Sequence, residues 1–420
     1  MSYQAIVVKL ENVEKHPNAD RLNVANAGGY TVVVGLDAQD GDIGVVFPCD
    51  GQLSEEFAKI NDLIRRKDEN GNNAGGMFDA NRRVRAQSFR GVKSEAFYSP
   101  IESLDYTGYD LTNLSPGTLF DSLNDHLICQ KYYTPATINA MKGGTPATKK
   151  KLVSFHEHYD TTQLRHYTWP DEGIVYVTYK LHGTSGRTGY VSSPTRARRT
   201  LVDLLRRRPG KSVNSFDYVS GTRRTVIGAH KVGFYSDESF RGKAIENIVP
   251  ALKKNEVLYY ELVGYTSDGG LIMGEHDIKK ANDKELVKQY GERVRYTYGC
   301  LPGETDIYVY HIKHINEDGD AIDLSWPQIK ARCKELGLKY VPEAVSAPYV
   351  NIRDTIASMV ADEYADGPDP ICPSHPREGI VFRVEHDGKV DFVKQKGFTF
   401  QVLEGIIKND DNYVDTEEIS

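Results

Sequence analysis

The sequence predicts an α+β protein in two parts, a small N-terminal β-barrel followed by a larger domain of mixed sheets and helices. The chain has 420 residues, which is more than one hydrophobic core usually organises. Residues 5–105 alternate short β-rich runs with Gly, Asn and Asp turn signals, a pattern typical of barrels. Beyond residue 150, strand-like and helix-like periodicities occur together, which indicates a mixed domain.

The first part contains five candidate strands. They are AIVVKLENV, YTVVVGL, IGVVFPC, RRVRAQSF and SEAFYSP. Residues 106–150 show little sustained periodicity and predict a connector between domains. We therefore divide the chain into a barrel at 1–105, a connector at 106–150, a sheet-and-helix domain at 151–408 and an acidic tail at 409–420 that is expected to fray.

The second part contains both kinds of element. The strand candidates are GIVYVTYK, EVLYYELVG, DIYVYHIKHI, EGIVFRVE and KVDFVKQKG. The helix candidates are residues near 201–208, residues 278–290, WPQIKARCKELG and IRDTIASMVADEYA. In the third helix Ile329, Cys333 and Leu336 recur at helical spacing, which predicts one buried face.

Composition excludes several classes of protein. Hydrophobic residues make up 39% of the chain, and no apolar run approaches the ~20 residues of a membrane span. The start, MSYQAIVVKL, lacks the features of a signal peptide. We expect a monomer without membrane contact, located in the cytoplasm, either of its own cell or of a virus-infected one.

Cysteine spacing and charge indicate which kinds of site and partner the sequence allows. The five cysteines include no C-x-x-C spacing, which argues against a disulfide framework and a zinc site. The net charge is −7, yet basic clusters occur at Lys149–Lys151 and in the insert 194–211. Such clusters are consistent either with RNA contact or with an ordinary solvated surface.

A lysine ends the first strand of the second part. In IVYVTYKLHG, alternation places Tyr176, Thr178 and Lys180 on one face of the strand. Gly183 then permits a tight turn. A lysine held in a partly apolar pocket loses its proton more readily, and the neutral amine is a nucleophile. The alternative is an edge lysine whose ammonium group reaches water.

Two carboxylates and a pair of lysines follow in similar strands. Glu261 and Glu378 lie in apolar runs, where a buried carboxylate needs a partner such as Mg²⁺. Lys394 and Lys396 share one face of a strand, so they could hold phosphate oxygens or disfavour the charged form of Lys180 by proximity. Each feature taken singly also fits a salt-bridged strand end or an exposed strand face.

The order of these motifs resembles that of the covalent nucleotidyltransferases, the superfamily of ATP-dependent ligases and capping enzymes. The segment KLHGTSGR is similar to the nucleotidyl-lysine motif of RNA ligases, whereas DNA ligases and capping enzymes usually have Asp in place of His182. Too few residues follow Lys396 for a second barrel, and EKHPNADRLNVANAGGYTVVVG resembles the start of an oligonucleotide-binding (OB) barrel. The chain therefore resembles the RNA ligases that carry an N-terminal OB domain.

This resemblance implies a fold and a set of roles. The second part would be an antiparallel-sheet, ATP-grasp-like adenylyltransferase domain. Lys180 would attack the α-phosphorus of ATP and carry AMP through a phosphoramide bond. Glu261 would contact the ribose, Glu378 would bind the metal, and both carboxylates are candidate metal ligands. Lys394 and Lys396 would contact the α-phosphate.

Four further residues are nominated by the same resemblance. Arg187 matches the arginine that approaches the sugar or phosphate, and Tyr310 matches the aromatic platform for adenine. Arg223, in SGTRR, and Arg165, in QLRHY, are candidate phosphate contacts. The implied cofactors are ATP and Mg²⁺, with Mn²⁺ as a substitute. The implied partners are RNA ends, in a nicked duplex or single-stranded.

Two other functions remain open from the sequence. One is a non-catalytic RNA-binding protein in which a barrel is joined to a decayed ligase-like domain, although every motif residue is present. The other is a DNA-nick ligase, which the order of the domains disfavours. A phosphate loop is excluded because Gly-x-x-x-x-Gly-Lys-[Ser/Thr] is absent.

Overall fold

A computed structural model describes most of the chain. The described residues are 3–67, 69, 71, 73–143, 152–196, 212–227, 240–278 and 284–408. Four predicted features lie wholly or mostly outside them: Lys149–Lys151, the basic insert 194–211, the helix near 201–208 and the acidic tail 409–420. The described part is mixed, with more strand than helix, so the predicted α+β class is confirmed.

The chain forms two compact units. Among the described residues, one unit extends to Ile138 and also includes the part of the C-terminal helix that begins at Gln401, and the other extends from Asn139 to Phe400. Among the described helices, none combines the length and the hydrophobicity needed to cross a bilayer.

The N-terminal unit is mainly β-structure. Its elements are β1 (Ala5–Lys15), β2 (Asn23–Ala27), β3 (Tyr30–Val34), β4 (Ile43–Pro48), β5 (Gly51–Leu53), α1 (Glu55–Ile60), β6 (Arg66–Lys67), β7 (Asn73–Gly75), β8 (Gln87–Phe89), β9 (Val92–Ser94), β10 (Ala96–Pro100), β11 (Leu119–Phe120), β12 (Ser122–Leu123), β13 (His126–Leu127), β14 (Cys129–Lys131) and α2 (Pro135–Gly143), whose last residues belong to the second unit.

An antiparallel half-barrel sheet organises this unit. Its strand order is β10-β4-β1-β2-β3, and β11 pairs with the start of β1. Val7 of β1 and Val45 of β4 are buried in one core, and their chain neighbours Ile6 and Val46 are buried in a second core, because successive side chains of a strand point to opposite faces of the sheet. Phe120 and Ile128, from the predicted connector, pack in the first of these cores. This part of the chain therefore helps to close the N-terminal core.

The second unit carries the remaining elements. They are β15 (Thr162–Gln163), β16 (Ile174–Lys180), β17 (Thr184–Arg196), β18 (Ser212–Gly221), β19 (Val226–Ile227), α3 (Phe240–Ile245), β20 (Glu256–Gly264), β21 (Glu275–Asp277), α4 (Lys284–Tyr290), β22 (Arg293–Arg295), β23 (Thr305–Ile315), β24 (Ala321–Asp323), α5 (Trp326–Leu336), β25 (Lys339–Tyr340), β26 (Tyr349–Val350), α6 (Asp354–Tyr364), β27 (Gly379–His386), β28 (Lys389–Lys396) and α7 (Phe398–Ile407).

Two sheets form this unit. The first has the order β15-β28-β27-β16-β26, and the second has the order β19-β18-β17-β20-β23-β24 with β25 beside β23. Nearly all the pairings are antiparallel, the exceptions being β15 with β28 and β23 with β25. Every residue of β20 is buried, which explains its almost continuous apolar sequence. The predicted antiparallel-sheet domain is confirmed.

A buried polar network joins the two sheets. Arg383 of β27 contacts Nδ1 of His311 on β23 at 2.9 Å, and Nε2 of His311 lies 2.8 Å from Asp323. Because arginine can only donate, Nδ1 must accept and Nε2–H must donate to the carboxylate. All three side chains thereby find partners away from water, so the network fixes β23 relative to β27.

Helix α5 confirms its sequence signals. Gln328 accepts a hydrogen bond of 2.8 Å from the backbone N–H of Ser325, and Gly337 ends the helix at φ 65°, which glycine adopts readily. Ile329 and Cys333 are fully buried. The helix predicted over 278–290 is observed as α4 from Lys284, and residues 279–283 lie outside the described part.

Candidate active site

Lys180 lies where three strands end together. It is opposite Gly379, the first residue of β27, and Gly379 is opposite Lys396, the last residue of β28. A Cβ atom at Gly379 would lie 2.1 Å from the carbonyl oxygen of Gln395, so glycine permits this close approach of β28. The sheet thereby joins motifs that are far apart in the sequence.

Lys180 and Glu378 form an ion pair. Nζ of Lys180 lies 2.7 Å from Oε1 of Glu378, and the side chains are 23% and 5% exposed. Burial alone would raise the pKa of Glu378, but the charge of Lys180 and the neighbouring His182 and Lys396 lower that pKa to about 2. The carboxylate is therefore ionised at neutral pH and stabilises the ammonium group beside it.

Two more lysines approach the same point. Lys394 and Lys396 occupy alternate positions of β28, and Lys394 lies opposite Val381 of β27. Burial, together with the charges of Lys396 and Lys180, lowers the pKa of Lys394 to about 8. Such a concentration of cations is suited to phosphate oxygens, which would relieve the repulsion between the ammonium groups.

Glu261 and Tyr310 belong to the seven-stranded sheet. Glu261 lies opposite Ser185 of β17, whose hydroxyl donates to Oε2 of Glu261 at 3.2 Å. The Tyr310 hydroxyl forms hydrogen bonds with Ser185 and with Nδ1 of His158. Burial and the charge of Glu261 raise the pKa of Tyr310 well above its usual value, so the phenol stays neutral.

Two of the nominated arginines contact the segment that precedes β16, and the third lies in that segment. Arg187 is buried, its guanidinium lies 4.5 Å from the Phe155 ring centroid, and its Nη1 donates to the Phe155 carbonyl at 3.3 Å. Arg223 contacts Asp160 at 3.3 Å. Arg165 follows Gln163, which lies opposite Lys394.

The predicted residues thus form two groups within the second unit. Lys180, Glu378 and the two β28 lysines meet at the end of the five-stranded sheet, and Glu261 and Tyr310 share a hydrogen-bond chain on the other sheet. The charge of Arg223 contributes to the lowered pKa of Lys394, so it lies within electrostatic reach of the first group. Arg187 orders the segment before β16.

Sequence reasoning missed residues that support these groups. His158 contacts Tyr310, and Tyr298 accepts a hydrogen bond of 2.6 Å from the backbone N–H of His182. The run HEHY at 156–159 could have indicated the first, because histidine and tyrosine are concentrated just before β16. Tyr298 is a buried turn residue shortly after β22, and no sequence pattern marks it.

The carboxylates can be tested as metal ligands. Within the described ranges, no group of three or more His, Cys, Asp or Glu side chains is arranged to hold a metal ion. Oε2 of Glu378 is nevertheless buried, and it has no hydrogen-bond partner among the described residues. A single carboxylate oxygen fits Mg²⁺, which commonly keeps its waters and binds one or two carboxylates plus substrate phosphates.

Comparison with known proteins identifies the family and the fold. A family model described as RNA ligase matches residues 173–396. A search of curated proteins found no match. The chain is similar in structure to a variant of the Naegleria gruberi RNA ligase with ATP and Mn, at TM-score 0.58 and 16% identity, covering 94% of this chain and 98% of that one.

Other structures of the same ligase are similar. A variant without ligand matches at TM-score 0.57 and 16% identity over 96% of this chain and 98% of that one. A structure with PPi matches at TM-score 0.56 and 15% identity, covering 97% of this chain and 99% of that one. These likenesses show the fold. Since the family match covers more than half of the chain, the chain belongs to the RNA ligase family.

Proposed function

We propose that this chain joins RNA 3′-hydroxyl and 5′-phosphate ends in an ATP-dependent reaction that passes through AMP bound covalently to Lys180. The observation that supports it most is the 2.7 Å pairing of Lys180 with Glu378 at the strand ends that also carry Lys394 and Lys396. Structures of the Naegleria ligase with ATP and Mn, with AMP and Mn, and with PPi contain the substrate, the transferred group and the leaving group of such a reaction.

The first step follows from the charges. Lys180 loses a proton to water, its Nζ bonds to the α-phosphorus of ATP, and the bond to the β-phosphate breaks as pyrophosphate leaves. Glu378 is a poor proton acceptor because its pKa is about 2, so its role is electrostatic. Lys394 and Lys396 would stabilise the negative charge that develops on the phosphates.

The nucleotide would lie between the two groups of residues. Glu261 would accept hydrogen bonds from the ribose, and Tyr310 would lie beside the base. Arg187 would act by holding Phe155 in place, while Arg223 and Arg165 would add positive charge near the phosphates. Glu378, with Glu261 as a second candidate, would hold Mg²⁺ or Mn²⁺. The metal, when bound, supplies positive charge to the phosphates and orients the leaving group.

The two remaining steps use the same cations. The 5′-phosphate of RNA attacks the lysyl-AMP, which breaks the phosphoramide bond and releases the amine of Lys180. A 3′-hydroxyl then attacks the activated phosphate and gives up its proton to water; the RNA phosphodiester forms as the bond from that phosphate to AMP breaks, and AMP leaves. We assign this chemistry to the predicted domain at 151–408; the predicted OB-like barrel at 1–105 carries none of these residues.

Covalent labelling tests the proposal. The wild-type chain, incubated with Mg²⁺ and ATP labelled at the α-phosphate, should gain one AMP, and Lys180→Ala should gain none. Lys389→Ala removes a lysine at the exposed start of β28 and should label like the wild type. Equal labelling of Lys180→Ala and the wild type would refute the assignment of the nucleophile.

Ligation assays then identify the substrate. RNA with a 5′-phosphate should be presented in three arrangements: at a nick, across a gap and unpaired. Each arrangement should be tested with a ribose 3′-end and with a deoxyribose 3′-end. The proposal expects sealing of at least one substrate with a ribose end. Joining of deoxyribose ends alone would instead identify a DNA-nick ligase.

A further inference from the structure

Tyr298 supports the segment that follows Lys180. Residues 181–183 join β16, the strand that ends at Lys180, to β17, which begins at Thr184 in the other sheet of the second unit. Strand pairing ends at Lys180 in the first sheet and resumes at Thr184 in the second. The link 181–183 therefore passes from one sheet to the other outside the regular pairing of either.

Two contacts hold this link in place. The backbone N–H of His182 donates to the hydroxyl oxygen of Tyr298 at 2.6 Å. A Cβ atom at Gly183 would lie 2.3 Å from the carbonyl oxygen of Leu262, so glycine lets the link pass close to β20, the strand of Glu261. The position of the link, and of the nucleophile that it follows, therefore depends on Tyr298.

The backbone of Tyr298 has a conformation that bulky residues rarely adopt. Its φ angle is 52°, in the left-handed region, where the Cβ atom crowds the following carbonyl. The N–H of Cys300 donates to the carbonyl of Thr297 at 3.0 Å and fixes the turn, and the centroids of the Tyr298 and His375 rings are 4.7 Å apart. Only 3% of Tyr298 is exposed. Strain of this kind persists where the surrounding structure enforces it, and it clusters at functional sites.

The same side chain lies near the second half of the reaction centre. His375, which packs against Tyr298, shortly precedes Glu378 in the chain. Burial, followed by the charge of Asp369 and a smaller contribution from Glu378, raises the pKa of Tyr298 well above its usual value. The phenol is therefore neutral at the pH of the proposed reaction, and Tyr298 acts through its hydrogen bond and its packing rather than through charge.

We propose that Tyr298 is a positioning residue for the first step, which sets the approach of Lys180 to the nucleotide through the backbone of His182. The inference rests on the proposed function. Lys180 belongs to one sheet, whereas Glu261 and Tyr310, which are proposed to hold the nucleoside, belong to the other. A shift of the link would change the distance from the amine to the α-phosphorus and leave the nucleoside contacts in place. Misplacement of a reacting group by about 1 Å can cost about a hundredfold in rate.

Single-turnover labelling tests this role. Tyr298→Phe keeps the ring and removes the hydroxyl that accepts from His182. With increasing concentrations of ATP labelled at the α-phosphate, its maximal rate constant should be roughly ten- to hundredfold below that of the wild type. The half-saturating ATP concentration should stay within about threefold of the wild-type value. A variant that had only lost stability would label a smaller fraction of the protein at an unchanged rate constant.

A second tyrosine provides the matched control. Tyr290 is also buried and lies at the end of α4 in the same unit. Tyr290→Phe removes one hydroxyl of the same kind and should retain both the maximal rate constant and the half-saturating ATP concentration of the wild type.

The outcomes separate this inference from the proposed function. A wild-type maximal rate constant in Tyr298→Phe, or a rise in the half-saturating ATP concentration alone, overturns the positioning role and leaves the proposed function standing. Absence of labelling of the wild type overturns the proposed function. If Tyr298→Phe does not fold, hydrogen exchange of the wild type decides. The amide of His182 should then exchange at least roughly a hundredfold more slowly than an unprotected amide, and fast exchange overturns the inference.

Discussion

Glu378 shows how one residue can set the chemistry of its neighbours. Its carboxylate is buried, ionised and 2.7 Å from Lys180. Removing that charge should leave the three site lysines to repel one another and take away the proposed metal ligand. Sequence reasoning identified Glu378 as a buried carboxylate in need of a partner, but it did not predict that the partner would be Lys180.

Substitution of Glu378 should separate its electrostatic role from folding. Glu378→Gln keeps the shape of the side chain, and we expect labelling to fall by at least about a hundredfold, the loss typical of an electrostatic group at a reaction centre. Labelling of Glu378→Ala should fall at least as far, and excess Mg²⁺ or Mn²⁺ should not fully restore the labelling of either variant. Asp387→Asn, in the exposed turn after β27, serves as the control. Full rescue by metal would contradict the assigned role.

The titration of Lys394 should make the kcat/KM for ATP depend on pH. Its pKa of about 8 means that the side chain is charged below that pH and neutral above it. The kcat/KM for ATP, which reports the free enzyme, should therefore fall roughly tenfold between about pH 7 and about pH 9. Lys394→Arg keeps its charge throughout and should not show this fall over the same range. A parallel fall in the arginine variant would assign the titration to another group.

At the scale of elements, strand pairing assembles the site. β27 lies between β16 and β28, so Lys180, Gly379 and Lys396 fall in one row. The alternation within each strand was readable from the sequence, because a period of two follows from backbone geometry. The sequence did not reveal which strands are neighbours, because strand pairing depends on contacts between distant segments.

Helix α5 is anchored to β20, the strand that carries Glu261. Arg332 contacts both carboxylate oxygens of the buried Glu256, at 2.7 and 2.8 Å. Arg332→Met should lower the free energy of unfolding by about 3–5 kcal/mol, because it leaves a buried charge without its partner. Chemical denaturation would measure the change. Glu335→Gln changes only the exposed partner of Arg332, and its free energy of unfolding should be close to that of the wild type. Equal losses in the two variants would show that the pair of Arg332 and Glu256 is not the anchor.

At the scale of the whole molecule, the two ends of the chain meet in one unit. Residues from Gln401 belong to the N-terminal unit, where Nη1 of the buried Arg83 donates to the Gly405 carbonyl at 2.8 Å. Gln401 also donates to Glu95 at 2.6 Å, and Lys408 lies 3.8 Å from Asp50. The C-terminal helix thus completes the polar contacts of the first unit.

Truncation should reveal this dependence. A chain that ends at Phe400 removes the acceptor of Arg83 and leaves a buried cation less satisfied. We expect the thermal midpoint of the N-terminal unit to fall by about 5 °C or more, measured by thermal denaturation followed by circular dichroism. A chain that ends at Lys408 keeps every one of these contacts and is the matched control. Equal midpoints would show that the helix does not stabilise the unit.

The fold class, the order of the parts, the strand faces and the candidate residues Lys180, Glu261, Glu378 and the β28 lysines could all be predicted before folding was considered. These depend on local periodicity and on short motifs, which the chain carries wherever it folds. The pairing of Glu378 with Lys180, the contact of His158 with Tyr310 and the place of the C-terminal helix in the first unit became known from the folded chain alone. Such partners depend on burial and on long-range pairing, since a charge or a lone pair acquires its partner only when distant segments exclude water together.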